Sequence, residues 1–416
     1  MEQLTDVLHS MLDTEESLEL LKAAVACESI TGNEASFANF IANELTRLGV
    51  GRVTLRDFEP NRPNVWGVLE GHSSGQQLLL TGHTDTVHVK GWRERWAGTE
   101  RENPFVGTVA DGALWGRGTG DLKAGICMTL AATRLLQHAG IELAGDVIYA
   151  FVGDEESGEA GSGTSAGMKS LIRVIQAGEL PKADFAIYVE PTQLAVYVAQ
   201  MGFLIADVHL TGKSAYFGVP ELGKDALKAA HRVFEALAQY SDALGNRGSH
   251  PLIGRAFLLV TEMKGGGYIA VPGECQLSLI RKLIPGEDLA VAVNELEAII
   301  SAAIGDDEIS VAISYPAARD HEAGGIPVEV DVSHPAIHML GSSIDQVAPG
   351  SGRLEGAPFW SEAPFLVDTL NIPTVYFAPG DIRNCHTLEE HVVLQDYFAG
   401  IVALASFMAE YCGVVT

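Results

Sequence analysis

The chain has 416 residues, 47% of them hydrophobic, and a formal net charge of −27 from 54 acidic against 27 basic side chains. That length suits two domains, each with its own core. The acidic surplus excludes nucleic acid and anionic membranes as partners, because neither gains from counterion release at such a surface.

The N-terminal "MEQLTDVLHSMLDTEESLELL" predicts an acidic amphipathic helix, without the basic and apolar regions of a secretion signal. No uncharged apolar run reaches membrane-spanning length. Five scattered cysteines form no C-x-x-C pair, which predicts a reducing, cytoplasmic setting rather than a disulfide framework. "SFANFIANELTRLG" predicts a helix closed by Gly49, and "NVWGVLEG" and "QQLLLTGH" predict strands. "DLKAGICMTLAATRLLQHAG" has helical spacing and ends at Gly140, while "DVIYAFVG" and "ADFAIYVEP" are short, nearly continuous apolar runs. Strand–helix–strand alternation with such runs predicts an α/β domain around a central, mostly parallel sheet.

From 203 the pattern changes. "GFLIADVHLTG" alternates as a half-exposed strand, and "DALKAAHRVFEALAQY" sets Leu227, Ala230, Val233, Phe234 and Leu237 on one helical face. Further strands and the helix "DLAVAVNELEAIISAAI" predict a compact α+β insert over 203–314. The α/β domain then comprises 1–202 and 315–416, resuming through "IPTVYFAPG" and a final helix.

Three motifs compete for the loops of the first part. "GSGTSA" matches G-x-G-x-x-A, but its glycines do not follow their strand directly, and Glu155 and Glu156 would repel a pyrophosphate. "GTSAG" offers Ser165 as a nucleophile, yet the strand ends about ten residues too early for a nucleophile elbow. The third pattern uses strand ends. His83 and Asp85 follow one strand, Glu155 and Glu156 another, and Glu190 a third. His386 lies past "IPTVYFAPG", and Asp121 opens a helix. Each alone is compatible with a solvated cap or a structural histidine. Together they bring two imidazoles and several carboxylates, with no thiolate, to the strand ends where α/β sheets gather ligands. That donor set suits Zn, Mn or Co, one or two ions per subunit, with Asp121 able to bridge two of them.

"GHTDTV", "WGRGTGDLKAG", "GDEESG", "VEPT", "GKSA", "SEAPFL" and "FAPGDIRNCHTLEEHV" span nearly the whole chain. In these motifs the sequence resembles the acetylornithine deacetylase, succinyl-diaminopimelate desuccinylase and carboxypeptidase family of metallohydrolases, which includes the aminoacylases. The resemblance implies a metal-dependent exopeptidase-like catalytic domain interrupted by a ferredoxin-like lid and dimerisation domain, hence a homodimer or larger homo-oligomer. It implies that His83 and Glu190 bind one ion, that Glu156 and His386 bind the other, and that Asp121 bridges them. Asp85 would orient His83 by a hydrogen bond to its far nitrogen. Glu155 would be the general base. A cis peptide is implied at Asp121–Leu122.

The insert departs from the family. Tyr216 stands where the lid histidine is expected, Ala270 replaces an asparagine, and Ile280 replaces an aspartate of the strand that carries a family arginine. Arg281 remains and is expected to clamp a substrate carboxylate. The implied activity is hydrolysis of a C–N bond in a small carboxylate-bearing substrate, most simply deacylation of an N-acyl amino acid or related amide. One alternative is an aminohydrolase that replaces the amine of a nitroanthranilate-like aromatic with water. Another is a catalytically silent metal-binding relative acting in regulation or interaction.

Overall fold

The computed structural model describes residues 2–156, 162–305 and 308–415, which divide into two units. The larger comprises 1–198, 330–355 and 365–416. Its sheet places Val147–Val152, Leu78–His83, Phe185–Tyr188 and Thr374–Tyr376 side by side in that order, all parallel. The hairpin of Gly51–Glu59 and Arg62–Leu69 joins antiparallel at Val147–Val152, and Val196–Gln200 lies antiparallel to Thr374–Tyr376. Every residue of the first three parallel strands is buried. Strands with both faces covered need no polar alternation, which is why they read as unbroken apolar runs.

Helices Ala124–His138 and Leu394–Cys412 pack on each other and on Leu78–His83, while Ala35–Arg47 and Ala166–Gln176 pack against the hairpin. Because the four parallel strands share one direction, their carboxyl ends emerge along one edge. His83 pairs with Val152, and Thr81 with Tyr188, so those ends are level.

The inserted unit comprises 199–329 and 356–364. Its strands run in the order Phe257–Gly265, Glu274–Leu283, Gly202–Thr211 and Ser310–Ser314, all antiparallel. Helices Ala226–Asn246 and Leu289–Ile304 complete a β-α-β-β-α-β chain, the ferredoxin-like arrangement expected of a lid. Each helix starts at an aspartate cap: Asp225 accepts the Lys228 amide and Asp288 the Val291 amide, both at 2.9 Å. The boundary expected at 315 lies further on, because Gly324–Gly325 pair with Phe203–Leu204 and keep residues 315–329 with the insert. The helical face also differs from the expected one. Ala226, Ala230, Val233, Leu237, Tyr240 and Leu244 are buried, whereas Leu227 and Phe234 form an exposed stripe beside them.

Candidate metal centre

His83 is the last residue of Leu78–His83, and Glu190 lies two residues past Phe185–Tyr188. Glu156 follows Val147–Val152 through a tight turn at Asp154, whose φ is 71°. Asp121 precedes helix Ala124–His138, and the Asp121–Leu122 peptide is cis, as the resemblance implies. His386 lies in the loop after Thr374–Tyr376 with φ 60°.

The five side chains converge. His83 Nε2 is 3.0 Å from Asp121 Oδ1 and 3.7 Å from Glu190 Oε1. His386 Nε2 is 3.1 Å from Asp121 Oδ2 and 2.9 Å from Glu156 Oε1. Asp121 therefore turns one oxygen to each imidazole, as a bridging ligand must. Among the described residues, His83, Asp121 and Glu156 each offer a ligand atom, and these atoms lie within 4.8 Å of one another.

A cation fits this set on chemical grounds. His83 Nδ1 lies 2.9 Å from the carbonyl oxygen of Asp85, an atom that only accepts, so Nδ1 carries a proton. In the neutral ring Nε2 is then a bare lone pair facing Asp121 Oδ1, itself buried and without a hydrogen-bond partner. Two acceptors 3.0 Å apart repel unless a positive charge lies between them. Protons can supply that charge. Burial alone would depress both imidazoles. The Glu190 and Asp121 carboxylates nevertheless hold His83 well above its usual value, and hydrogen bonds that His386 donates to Asp121 and Glu156 push it up to about 11. Burial likewise opposes the Asp121 charge, yet His386 and His83 hold that carboxyl below its ordinary range. A divalent ion satisfies the same carboxylates without protons.

Asp85 does not act as expected. Its carboxylate is 3.8 Å from His83 Nδ1, and its backbone carbonyl makes the orienting contact instead. The carboxylate is occupied by the amides of Glu155 (3.2 Å) and Glu156 (2.9 Å) and by the Thr31 hydroxyl (3.0 Å). Glu155 is half-buried in that turn, one residue before the ligand Glu156.

Tyr216 and Arg281 belong to the inserted unit. Tyr216 is 60% exposed and pairs in register with Ala270. Arg281 faces the helix-covered side of its sheet, 1% exposed, with Nη2 2.8 Å from Glu287 Oε1. That placement ties the guanidinium to its own unit.

Ser165 is the buried, left-handed N-cap of helix Ala166–Gln176, thirteen residues past the strand end at Val152, so no nucleophile elbow exists there. Gly161 of the glycine-rich string, and Ser157 and Gly158 of "GDEESG", lie outside the described residues.

Sequence reading missed the residues that brace the ligands. Arg62 bonds Glu34 and Asp154, and Asp154 in turn accepts the amides of Gly163, Thr164 and Ala166. Arg117 and Glu390 form a buried ion pair beside Asp121. The available signal was charge inside glycine-rich, otherwise apolar loops, as in "GRGTG".

The family model for peptidase family M20/M25/M40 matches residues 79–410. The chain belongs to that family. Similar relatives include the N-formyl-4-amino-5-aminomethyl-2-methylpyrimidine deformylase of Bacillus subtilis (strain 168), 25% identical over 96% of this chain and 95% of that protein. The acetylornithine deacetylase of Proteus mirabilis (strain HI4320) is 26% identical over 90% and 91%. Among solved structures, a tripeptidase from Staphylococcus aureus subsp. aureus Mu50 superposes with a TM-score of 0.76 at 17% identity, covering 97% of this chain and 99% of that one. The last likeness concerns the fold: a mixed, mostly parallel central sheet with an inserted antiparallel lid sheet. The chain is an M20-family metallohydrolase, and the expected dinuclear site of that family corresponds to the cluster around His83, Asp121 and Glu156. No described helix is long and apolar enough to cross a membrane.

Proposed function

We propose that this metallohydrolase removes a small acyl group from an N-acylated, carboxylate-bearing substrate, an N-acyl amino acid or related amide. The observation that carries the reading is the convergence of His83, Asp121, Glu156, Glu190 and His386 beside Glu155. Named deacylation and deformylation in the two relatives support it. Zn, Mn or Co, one or two per subunit, suits the donor set. When bound, the ion supplies a Lewis acid and makes water acidic enough to attack at neutral pH. Glu155 accepts the proton of the attacking water and passes it to the departing nitrogen. Asp85 holds the turn that sets Glu155 and Glu156 in place. Tyr216 offers a phenolic donor to the substrate where the family uses an imidazole. The exposed stripe of Leu227 and Phe234 supports a homodimer or larger homo-oligomer, and five unpaired cysteines support a reducing cytoplasm.

One observation favours a second reading. Tyr216 and Phe217 are both exposed, with ring centroids 4.5 Å apart, a surface on which a flat ring stacks. An aromatic aminohydrolase would use it and release ammonia. A silent relative would have no need of a carboxylate such as Glu155 beside a complete ligand set.

The test is a product assay after chelation and replenishment with Zn, Mn or Co, on N-formyl and N-acetyl amino acids, N-acylated aminomethyl heteroaromatics and aminobenzoates. Free amine plus acid supports deacylation, and ammonia plus a hydroxyaromatic supports the second reading. No turnover with full metal content would sink both.

A further inference from the structure

The five ligands are not held alike. His83 and Glu190 sit at or just past sheet strands and inherit the sheet's rigidity. His386 stands in a loop with its side chain 52% exposed, so its position depends on what ties that loop down.

The buried tie is an ion pair, and at the surface Trp96 Nε1 also donates to the Leu388 carbonyl at 2.6 Å and Arg95 pairs with Glu389. Glu390, 1% exposed, lies four residues after His386. Its Oε1 accepts the amides of Gly120 and Asp121, each at 3.1 Å, and its Oε2 bonds Arg117 Nη1. Arg117 Nη2 donates to the carbonyl of Thr387 at 3.1 Å, one residue past His386. The Gly116 amide closes the ring on the Glu390 carbonyl at 3.2 Å. The backbone of the bridging ligand and the segment carrying the loop ligand are thus fixed to one another through one carboxylate and one guanidinium. Neither group belongs to the proposed ligand set, and each bonds backbone next to a member of it.

We propose that the Arg117–Glu390 pair is the positioning unit that sets the affinity of the ion that Asp121, Glu156 and His386 would share, with a smaller effect, passed on through Asp121 alone, on the ion that His83 and Glu190 would hold. This rests on the metallohydrolase reading above. Glu390→Gln keeps an oxygen for the two amides but turns an N–H₂ donor toward the Arg117 donors. Arg117→Lys keeps the charge but cannot also reach Thr387 in the same plane.

The experiment is competitive titration of the metal-free full chain with Zn²⁺ and Co²⁺ against a chromophoric chelator, resolving two dissociation constants. Circular dichroism verifies the fold. His386→Ala identifies the constant that belongs to the loop ion. The expected result is that Glu390→Gln weakens that same constant by about 10–100-fold, that Arg117→Lys weakens it less, and that the other constant changes by a smaller factor in each variant. Equal weakening of both constants in a folded variant would reveal a merely structural pair and overturn the inference, as would no change in either. If Glu390→Gln does not fold, Arg117→Lys decides by the same criterion. A wild-type chain that binds no ion overturns the underlying reading, an outcome separate from a wild type that binds two ions and variants that match it.

Discussion

Asp85 Oδ2 accepts the backbone N–H of Glu156 at 2.9 Å, while Oδ1 stays 3.8 Å from the His83 nitrogen. The acid next to the histidine therefore shapes the turn that presents Glu155 and Glu156, and the histidine is oriented by a carbonyl that any residue at 85 would supply. Asp85→Asn exchanges one acceptor oxygen for a donor facing an amide. The expected outcome is a fall in kcat of about 10–100-fold with the His83 tautomer intact. Imidazole ¹⁵N shifts of the variant check this: a switched tautomer would restore the orienting role to the carboxylate.

Glu155 is not needed to hold an ion if the five proposed side chains do so. Glu155→Gln is expected to lower kcat by about 10²–10⁴-fold and to leave metal content at the wild-type level. Parallel turnover and metal analysis check it, and residual activity near wild type would mean that another group moves the proton.

Arg281 separates two roles. Its guanidinium lies 2.8 Å from Glu287 and 3.7 Å from Glu295, and Glu295 also bonds Arg247 and Tyr240. Burial alone would raise the Glu295 carboxyl, but Arg247 and the Tyr240 hydroxyl hold it below its ordinary 4.5. A carboxyl lowered on folding adds stability that is fully present above its unfolded value and is lost as pH falls through the folded one. The inserted unit is therefore expected to lose stability below about pH 4.5, and Glu295→Gln to flatten that loss. Glu287→Gln, which strands a buried charge, should cost about 3 kcal/mol. Arg281→Met should lower the unit's melting temperature and leave KM unchanged. A large rise in KM without loss of stability would identify Arg281 as a substrate clamp after all.

Much of this was legible because strand ends leave a strong local signal. Continuous apolar runs such as "QQLLLTGH" announce a strand buried on both faces, and the polar residues that stop them fall at the sheet's carboxyl edge. His83, Glu156 and Glu190 could thus be gathered without coordinates. His386 and Asp121 were placed with them by position, past a strand and at a helix start, but which side chains pair on which ion needed the motif resemblance, because no periodicity predicts the path of loops. Roles played through backbone amides were invisible. Glu390 and Asp85 bond N–H groups far away in the chain, and a carboxylate that accepts from backbone looks in sequence like one that faces solvent. The face of Ala226–Asn246 was misread for a related reason: small alanines at 226, 229 and 230 pack closest, and a hydrophobicity count favours the larger Leu227 and Phe234.

Removal of the ion should affect one unit and spare the other. All five proposed ligands belong to the larger unit, where Asp121, Glu156 and Glu190 are buried carboxylates close to one another. A ligand that binds the folded form alone stabilises it by about 2.7 kcal/mol at a hundredfold excess over its dissociation constant. Exhaustive chelation is therefore expected to abolish turnover and to lower the melting transition of the larger unit. The inserted unit, which contributes no ligand, should melt where it did before. Differential scanning calorimetry of metal-free and replenished protein resolves the two transitions, and re-addition of Zn, Mn or Co should restore both activity and the higher transition. If activity returned while the larger unit's transition stayed where chelation left it, the ion would be bound somewhere other than the cluster of His83, Asp121, Glu156, Glu190 and His386.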